Sequence, residues 1–159
     1  MNLAPRLINT LSAPLRLLPT LAHSQALALV LNQVMKDAIA EGELDFLIGR
    51  TVGIEISDIG IRYRLGLAGG RIRGHGEGAA ADASISGGLH EFLLLAARRE
   101  DADTLFFQRR LRMAGDTELG LYLKNFLDAF EPPAQVAPLI RGLDRLLGAE
   151  QHRPRRSHR

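Results

Sequence analysis

A change of hydrophobic period near residue 50 is the feature that most limits the folds open to this chain. Between Ser24 and Gly42 apolar residues recur every three or four positions, which predicts an amphipathic helix that ends at the glycine. Apolar and polar residues then alternate through residues 51–56 and 61–67, a pattern typical of half-buried strands. Because such strands leave one apolar face to cover, we expect helices packed on a sheet, an α/β (α+β) fold.

The same two periods predict the remaining elements. Alternation indicates further short strands at residues 71–73, 82–86 and 110–113. Helical spacing indicates helices at residues 89–99 and 117–130, and Asp103 is expected to cap a short helical turn that ends at Phe107. Five strands in this order are most simply connected as an antiparallel meander.

Length and charge divide the chain into a core and two ends. The 159 residues suffice for one domain but not for two ordinary ones. We predict an amphipathic N-terminal segment at 1–23, a core domain at 24–131, an amphipathic C-terminal helix at 134–148 and a basic disordered tail at 149–159. Both ends are net basic and the body is net acidic, so the ends favour contact with an anionic membrane. Solubility is the alternative explanation of the charged ends.

The N-terminal segment carries a stripe of leucines at helical spacing. Pro14 interrupts this stripe, so two short helical pieces are expected instead of one helix. No apolar run approaches the roughly 20 residues that span a bilayer, and the segment lacks the pattern of a signal peptide. We therefore predict a cytoplasmic protein that is peripherally membrane-associated through Leu3, Leu7, Leu11, Leu15 and Leu18.

Motifs for metal or phosphate chemistry are weak. His75 and Glu77 have the H-x-E spacing of zinc deaminases, but that signature also needs cysteines, and the chain has none. The glycines of the 74–78 stretch follow a strand without opening a helix, so a loop is a better interpretation than a phosphate site. We expect no catalytic residues, no metal and no cofactor.

A nucleic-acid site is also disfavoured. Arg109, Arg110 and Arg112 lie beside Phe106 and Phe107, and such a group could hold phosphates and stacked bases. Against this interpretation, the body is net acidic and aromatic residues make up only 5% of the chain. Alternation instead predicts a strand with arginine outside and Leu111 inside.

The chain has more apolar helix faces than one small sheet needs. Five helical segments carry apolar stripes, two of them outside the predicted core domain. Surplus stripes require a partner, which can be lipid, membrane or a second subunit. The alternative is that every stripe packs on the core.

Two motifs make the sequence resemble a known family. Residues 103–111 read D-T-L-F-F-Q-R-R-L, and residues 115–121 read G-D-T-E-L-G-L, followed by Lys124 and Asn125. These pieces resemble the sterol-carrier-protein type-two family and, within it, bacterial accessory factors of oxygen-independent ubiquinone biosynthesis. The resemblance covers residues 24–130.

The resemblance implies a mostly antiparallel five-stranded sheet covered by helices, with a hydrophobic lipid tunnel between them. It implies binding of an isoprenoid quinone precursor or phospholipid, and it does not imply sterol as the ligand. Implied partners are iron-sulfur hydroxylase subunits and other ubiquinone biosynthesis proteins, a membrane surface and, as one option, a second copy in a homodimer. The positions that match the tunnel wall are Phe92, Leu95, Phe106, Phe107, Leu119, Tyr122, Leu123 and Phe126.

Two other classes of function stay open. A protein-interaction scaffold would use the same apolar stripes for protein contacts and would carry no bound lipid. An enzyme acting on a quinone precursor would need a cluster of polar side chains deep in its pocket, which the sequence does not show.

Overall fold

The computed structural model describes residues 17–151. Within this range the strands are β1 (Val52–Ile56), β2 (Ile61–Ala68), β3 (Arg71–Gly74), β4 (Ala83–Gly87) and β5 (Leu111–Gly115). The helices are α1 (Thr20–Val34), α2 (Lys36–Ala40), α3 (Leu89–Ala96), α4 (Ala102–Phe107), α5 (Thr117–Ala129) and α6 (Ala137–Gln151), with 3₁₀ turns at Asp45–Leu47 and Ala134–Val136.

The five strands form one sheet in the order β3-β2-β1-β4-β5. Neighbouring strands are antiparallel except β1 and β4, which are parallel. The predicted meander is therefore correct for β1 to β3 and wrong for β4, which returns to the other side of β1. Asp82 holds this return: its amide donates to the Thr51 carbonyl, and its carboxylate accepts from the Thr51 amide, both at 2.7 Å.

The strand register separates an apolar face from a polar face. Val52 lies opposite Leu65, and Ile56 opposite Ile61, on the face that contacts the helices. The alternate positions, such as Arg62, point away from the helices. Each large aliphatic side chain removed from water contributes about 1.5–3 kcal/mol, so the apolar face holds the two layers together. The predicted α/β fold with helices on a mostly antiparallel sheet is confirmed.

Helix α1 lies along the open edge of β3. The Asn32 side chain donates to the Ile72 carbonyl at 2.9 Å and accepts from the Ile72 amide at 2.8 Å. Gln25 donates to the Gly74 carbonyl at 3.2 Å. A Cβ atom on Gly74 would lie 2.4 Å from the backbone nitrogen of Gln25, so glycine is needed for the close approach of α1 to β3. Side chains of α1 thus satisfy strand groups that would otherwise be open to pairing with another chain.

The start of α1 differs from its prediction. The helix begins at Thr20, crosses the predicted boundary at residue 23, and ends at Val34 before the short helix α2. Ser24, expected at the helix start, is fully buried inside it and accepts a 2.8 Å hydrogen bond from the Arg64 amide. Residues 1–16, with most of the predicted leucine stripe, lie outside the described range.

Aspartates cap the two helices that flank β5. Asp101, not Asp103 as predicted, caps α4 by accepting from the Thr104 amide at 2.6 Å. Asp116 caps α5 by accepting from the Leu119 amide at 2.8 Å. These amide hydrogen bonds lower the pKa of both carboxyl groups below the ordinary value.

The C-terminal helix α6 folds back onto α3. Leu147 is 3% exposed and packs with Leu94 and Ala97, and Arg99 forms an ion pair with Asp144. This contact buries only part of the apolar stripe predicted for the C-terminal helix. Leu146, another residue of that stripe, stays 68% exposed. Helix α6 runs to Gln151, three residues past the predicted end of the C-terminal helix.

Candidate functional site

Six of the eight predicted tunnel residues come together on the apolar face of the sheet. They belong to one cluster with the buried strand residues Val52, Ile85 and Leu111. Leu119 and Leu123 are buried on α5, and α3 and α4 contribute side chains that are partly exposed. The six are Phe92, Leu95, Phe106, Leu119, Leu123 and Phe126.

An aromatic row extends this cluster. The ring centre of Phe126 lies 5.4 Å from that of Phe130 and 6.2 Å from that of Phe46. Phe46 in turn stacks on Tyr122 at 6.0 Å. Phe46 is not among the residues predicted from the sequence, because it lies in a 3₁₀ turn, where neither a helical nor an alternating period indicates burial.

The other two predicted residues lie further out. Tyr122 is 49% exposed, and its hydroxyl donates to Glu118 at 3.4 Å. Phe107 is 90% exposed at the last position of α4. Consecutive helix positions point in different directions, so Phe106 takes the inward position and Phe107 the outward one. The structure brings Tyr122 to the cluster through Phe46 and leaves Phe107 at the surface.

A small cavity lies beside this cluster. A cavity of about 80 Å³ lies between Leu95 and Leu127 and is bordered by Arg98, Glu100 and Asp128. The Asp128 carboxylate accepts from the Ala102 amide at 2.8 Å, which ties α5 to the start of α4. The cavity is therefore a small gap that is lined both by leucine side chains and by charged side chains.

A larger groove lies at the start of α1. It measures about 590 Å³ and is bounded by residues 18–23, by the β1–β2 hairpin and by the loop after β3. Leu21 and Ile61 are apolar residues of its wall, and two other lining residues are joined by a hydrogen bond from the Thr20 hydroxyl to Glu77 at 2.9 Å. Its walls come from three distant segments, so no local pattern in the sequence could reveal it.

Buried His23 connects this groove to the sheet. Its ring meets Tyr63 edge-on with ring centres 6.2 Å apart. Burial raises the pKa of the Tyr63 hydroxyl above its ordinary value, so the phenol is neutral at physiological pH. Of the leucines predicted to contact membrane, Leu18 borders the groove and is 49% exposed; Leu3, Leu7, Leu11 and Leu15 lie outside the described residues.

The polar motifs serve packing and ion pairs in this structure. A Cβ on Gly66 would meet the His75 ring at 3.0 Å, so this histidine covers the sheet beside a glycine. Arg110 binds Glu100 at 2.7 Å and Glu91 at 3.4 Å, and the Glu100 hydrogen bond raises the pKa of Arg110. Residues 17–151 contain no group of three His, Asp or Glu side chains that could hold a metal ion.

Among the helices within residues 17–151, none combines the length and the apolar character that a bilayer span requires.

The candidate site consists of aliphatic and aromatic side chains between the sheet and helices α3 to α5, together with the separate groove beside α1. Surfaces of this kind bind apolar molecules by removing their area from water, at about 25 cal/mol per Å².

Comparison with known proteins assigns the family. A model described as the SCP-2 sterol transfer family matches residues 27–128, from α1 into α5. The ubiquinone biosynthesis accessory factor UbiT of Escherichia coli strain K12 is 44% identical over 121 residues, which cover 76% of this chain and 69% of that protein. UbiT of Escherichia coli O157:H7 matches to the same extent.

A solved structure shares the fold. The protein described as UbiJ-SCP2 ubiquinone synthesis protein superposes with a TM-score of 0.55 over 67% of this chain and 94% of that one. The identity is 16%, so this likeness concerns the fold alone. The family expected from the two motifs is confirmed by the sequence match, and this chain belongs to the SCP-2 sterol transfer family.

Proposed function

We propose that this protein is a non-catalytic lipid-binding accessory factor for oxygen-independent ubiquinone biosynthesis. It binds an isoprenoid quinone precursor or a phospholipid and presents it to the biosynthetic enzymes, among them iron-sulfur hydroxylase subunits. The observation that carries the proposal is the apolar cluster under α3 to α5 in a chain 44% identical to a ubiquinone biosynthesis accessory factor. The protein acts in the cytoplasm and attaches to the membrane peripherally.

In this proposal the lipid tail lies among the six predicted wall residues that share the apolar cluster. Leu95 and Leu127 already leave a gap between α3 and α5, and α6 covers α3 from outside. A tail enters this gap as the helices separate, and burial of its apolar area drives binding. Ligand pockets usually measure about 300–1,000 Å³, so the 80 Å³ gap must widen.

Two tryptophan variants locate the cargo. Leu95→Trp fills the gap, whereas Leu21→Trp narrows the groove at α1. The full-length protein and both variants are purified gently, examined by native mass spectrometry and extracted with organic solvent. We expect co-purified lipid in the unmodified protein and in Leu21→Trp, and its loss in Leu95→Trp. Loss only in Leu21→Trp would place the cargo in the groove instead.

A protein-interaction scaffold is the second candidate. The exposed Phe107, Leu139 and Leu146 favour it, since helices with such side chains have apolar area left for a partner. A clean apo mass of the gently purified protein, together with lipid-free extracts, would support the scaffold and refute the lipid carrier.

The N-terminal leucine stripe is proposed to contact membrane. Because α1 starts at Thr20 and buries Ser24, the deletion that tests this proposal removes residues 1–16 and leaves the helix whole. Weaker co-sedimentation with liposomes is expected, and unchanged co-sedimentation would contradict it.

A further inference from the structure

The sheet face that points away from the helices is rich in arginine. Strand alternation places five arginines and a single acidic residue on it, and glycine, serine and alanine occupy its other strand positions. The charged residues are Arg62, Arg64, Arg71, Arg73, Arg112 and Glu55. We call this surface the arginine face. Its net positive charge contrasts with the acidic body of the chain.

Among residues 17–151, most of these guanidinium groups have no carboxylate partner. Of the five arginines, only Arg62 forms an ion pair within that range, with Glu55 at 3.7 Å. The Arg64 guanidinium lies over Gly53, and its buried Nε finds no hydrogen-bond acceptor in the part of the chain that is described. Exposed Arg71, Arg73 and Arg112 form no ion pair with any residue of the 17–151 range. Unpaired like charges on one surface attract an anionic partner.

An uncharged apolar helix borders the arginine face. Helix α1 contains no Asp, Glu, Lys or Arg, although seven of its 15 residues are exposed. Leu29 is 67% exposed and Val30 is 54% exposed. The same helix lies along the edge of β3 through Asn32, so α1 adjoins the strand that carries Arg71 and Arg73.

We propose that the arginine face, together with the outer side of α1, docks on an anionic lipid bilayer. Basic side chains bind lipid head groups, and a neighbouring apolar helix side enters the boundary between head groups and acyl chains. A second copy of the chain is a poor occupant, because two arginine faces repel each other. Nucleic acid is also a poor occupant, because no Phe, Tyr or Trp occupies a strand position of the arginine face. A bound nucleic acid would also leave the apolar side chains of Leu29 and Val30 uncovered.

This docking surface deepens the proposed function, because a carrier must reach a bilayer to collect lipid. The docking surface includes no residue of 1–16 and no residue of the apolar cluster that contacts α3 to α5. Vesicle binding therefore tests the docking surface independently of the bound lipid. If the protein co-purifies with lipid but does not bind vesicles, only the docking surface is refuted. If it binds vesicles but co-purifies with no lipid, only the proposed lipid-carrier function is refuted.

The test is co-sedimentation of the full chain with two kinds of vesicle. One contains phosphatidylcholine alone, and the other is an equal mixture of phosphatidylcholine and anionic phosphatidylglycerol. The variant R71Q/R73Q/R112Q removes three exposed charges. The control R109Q/R141Q/R145Q removes the same net charge from exposed positions off this face. A third variant, R71K/R73K/R112K, retains the charge. Circular dichroism melting curves confirm that each variant folds.

We expect the unmodified chain to prefer anionic vesicles and to lose that preference at high salt. Each basic residue near an anionic surface contributes about a fivefold gain, so the glutamine triple should bind on the order of 100-fold more weakly. The control and the lysine triple should bind nearly as well as the unmodified chain. Three results would each overturn the proposal. The first is an equal loss of vesicle binding in the glutamine triple and in the control, and the second is no preference of the unmodified chain for anionic vesicles. The third is arginine-dependent binding to duplex RNA in place of vesicles.

Discussion

Asn32 is expected to stabilise the fold through the edge of the sheet. Its amide group makes two hydrogen bonds, at 2.8 and 2.9 Å, to the amide and carbonyl of Ile72 in β3. The residue lies 40 positions away in sequence, so these contacts join α1 to the far end of the sheet. Asn32→Ala removes both bonds and leaves the helix able to form.

The size of the loss follows from two opposing effects. Each hydrogen bond contributes about 1 kcal/mol net, and water can reach the freed Ile72 groups because the site is only partly buried. Alanine is the better helix former by about 0.5 kcal/mol. The free energy of unfolding should therefore fall by about 1.5 kcal/mol, which lowers the melting temperature by roughly 5 °C for a domain of this size.

Gln33→Ala is the matched control, because Gln33 neighbours Asn32 in the same helix and is exposed. Urea unfolding followed by circular dichroism measures both variants, and the dependence on urea should keep the same slope. Gln33→Ala should be neutral or slightly stabilising. If the two variants agree within about 0.5 kcal/mol, the hydrogen bonds to Ile72 do not contribute as reasoned.

Three further outcomes are expected. Gly74→Ala places a Cβ atom 2.4 Å from α1 backbone and should cost at least about 2 kcal/mol in urea unfolding, whereas Gly78→Ala, with no atom within 4 Å, should cost far less. Leu147→Ala should weaken the packing of α6 on α3 and lower the free energy of unfolding by about 2–3 kcal/mol. Leu146 is 68% exposed, so Leu146→Ala should change that free energy little. Equal effects of the two substitutions would contradict the observed packing. The lowered pKa of Asp116 means that its stabilising effect is complete above the ordinary value of 3.8 and is lost as the pH falls through the lower folded value. Asp116→Asn retains a capping side chain and should lose less stability below pH 3.8 in acid titrations followed by circular dichroism; an unchanged acid profile would argue against this origin.

Local patterns in the sequence predicted most of the elements. The alternation at Val52–Ile56 and in the next strand identified both strands and the face of each residue. The helix over 117–130 was predicted to within one residue of its observed end at Ala129. These elements depend on the spacing of neighbouring side chains, which a single sequence displays directly.

Capping was harder to place. Asp101 and Asp103 both stand near the start of α4, and either could accept the free helix amides. The structure gives the cap to Asp101 and pairs Asp103 with Lys124. That choice depends on where α5 brings Lys124, which is a tertiary contact and not a local one.

For the candidate site, the sequence identified residue types but not positions in space. Six of the predicted wall residues lie in one cluster because helical spacing already directs them inward. Phe107 is exposed although it adjoins Phe106 in the same motif. The groove beside α1 was not predicted, since its walls meet only when three separate segments fold together.

The sequence by itself determined the helices, the strands, the apolar face of the sheet and, through two motifs, the family. Only the tertiary structure decided that β4 returns beside β1, that Asn32 of α1 covers the edge of β3, and that α6 folds back on α3. The physical reason lies in the range of the interactions. Hydrophobic periods act between neighbours along the chain, whereas strand pairing uses backbone groups that are alike at nearly every residue. Which strands pair with one another is therefore determined only by the packing of the whole domain.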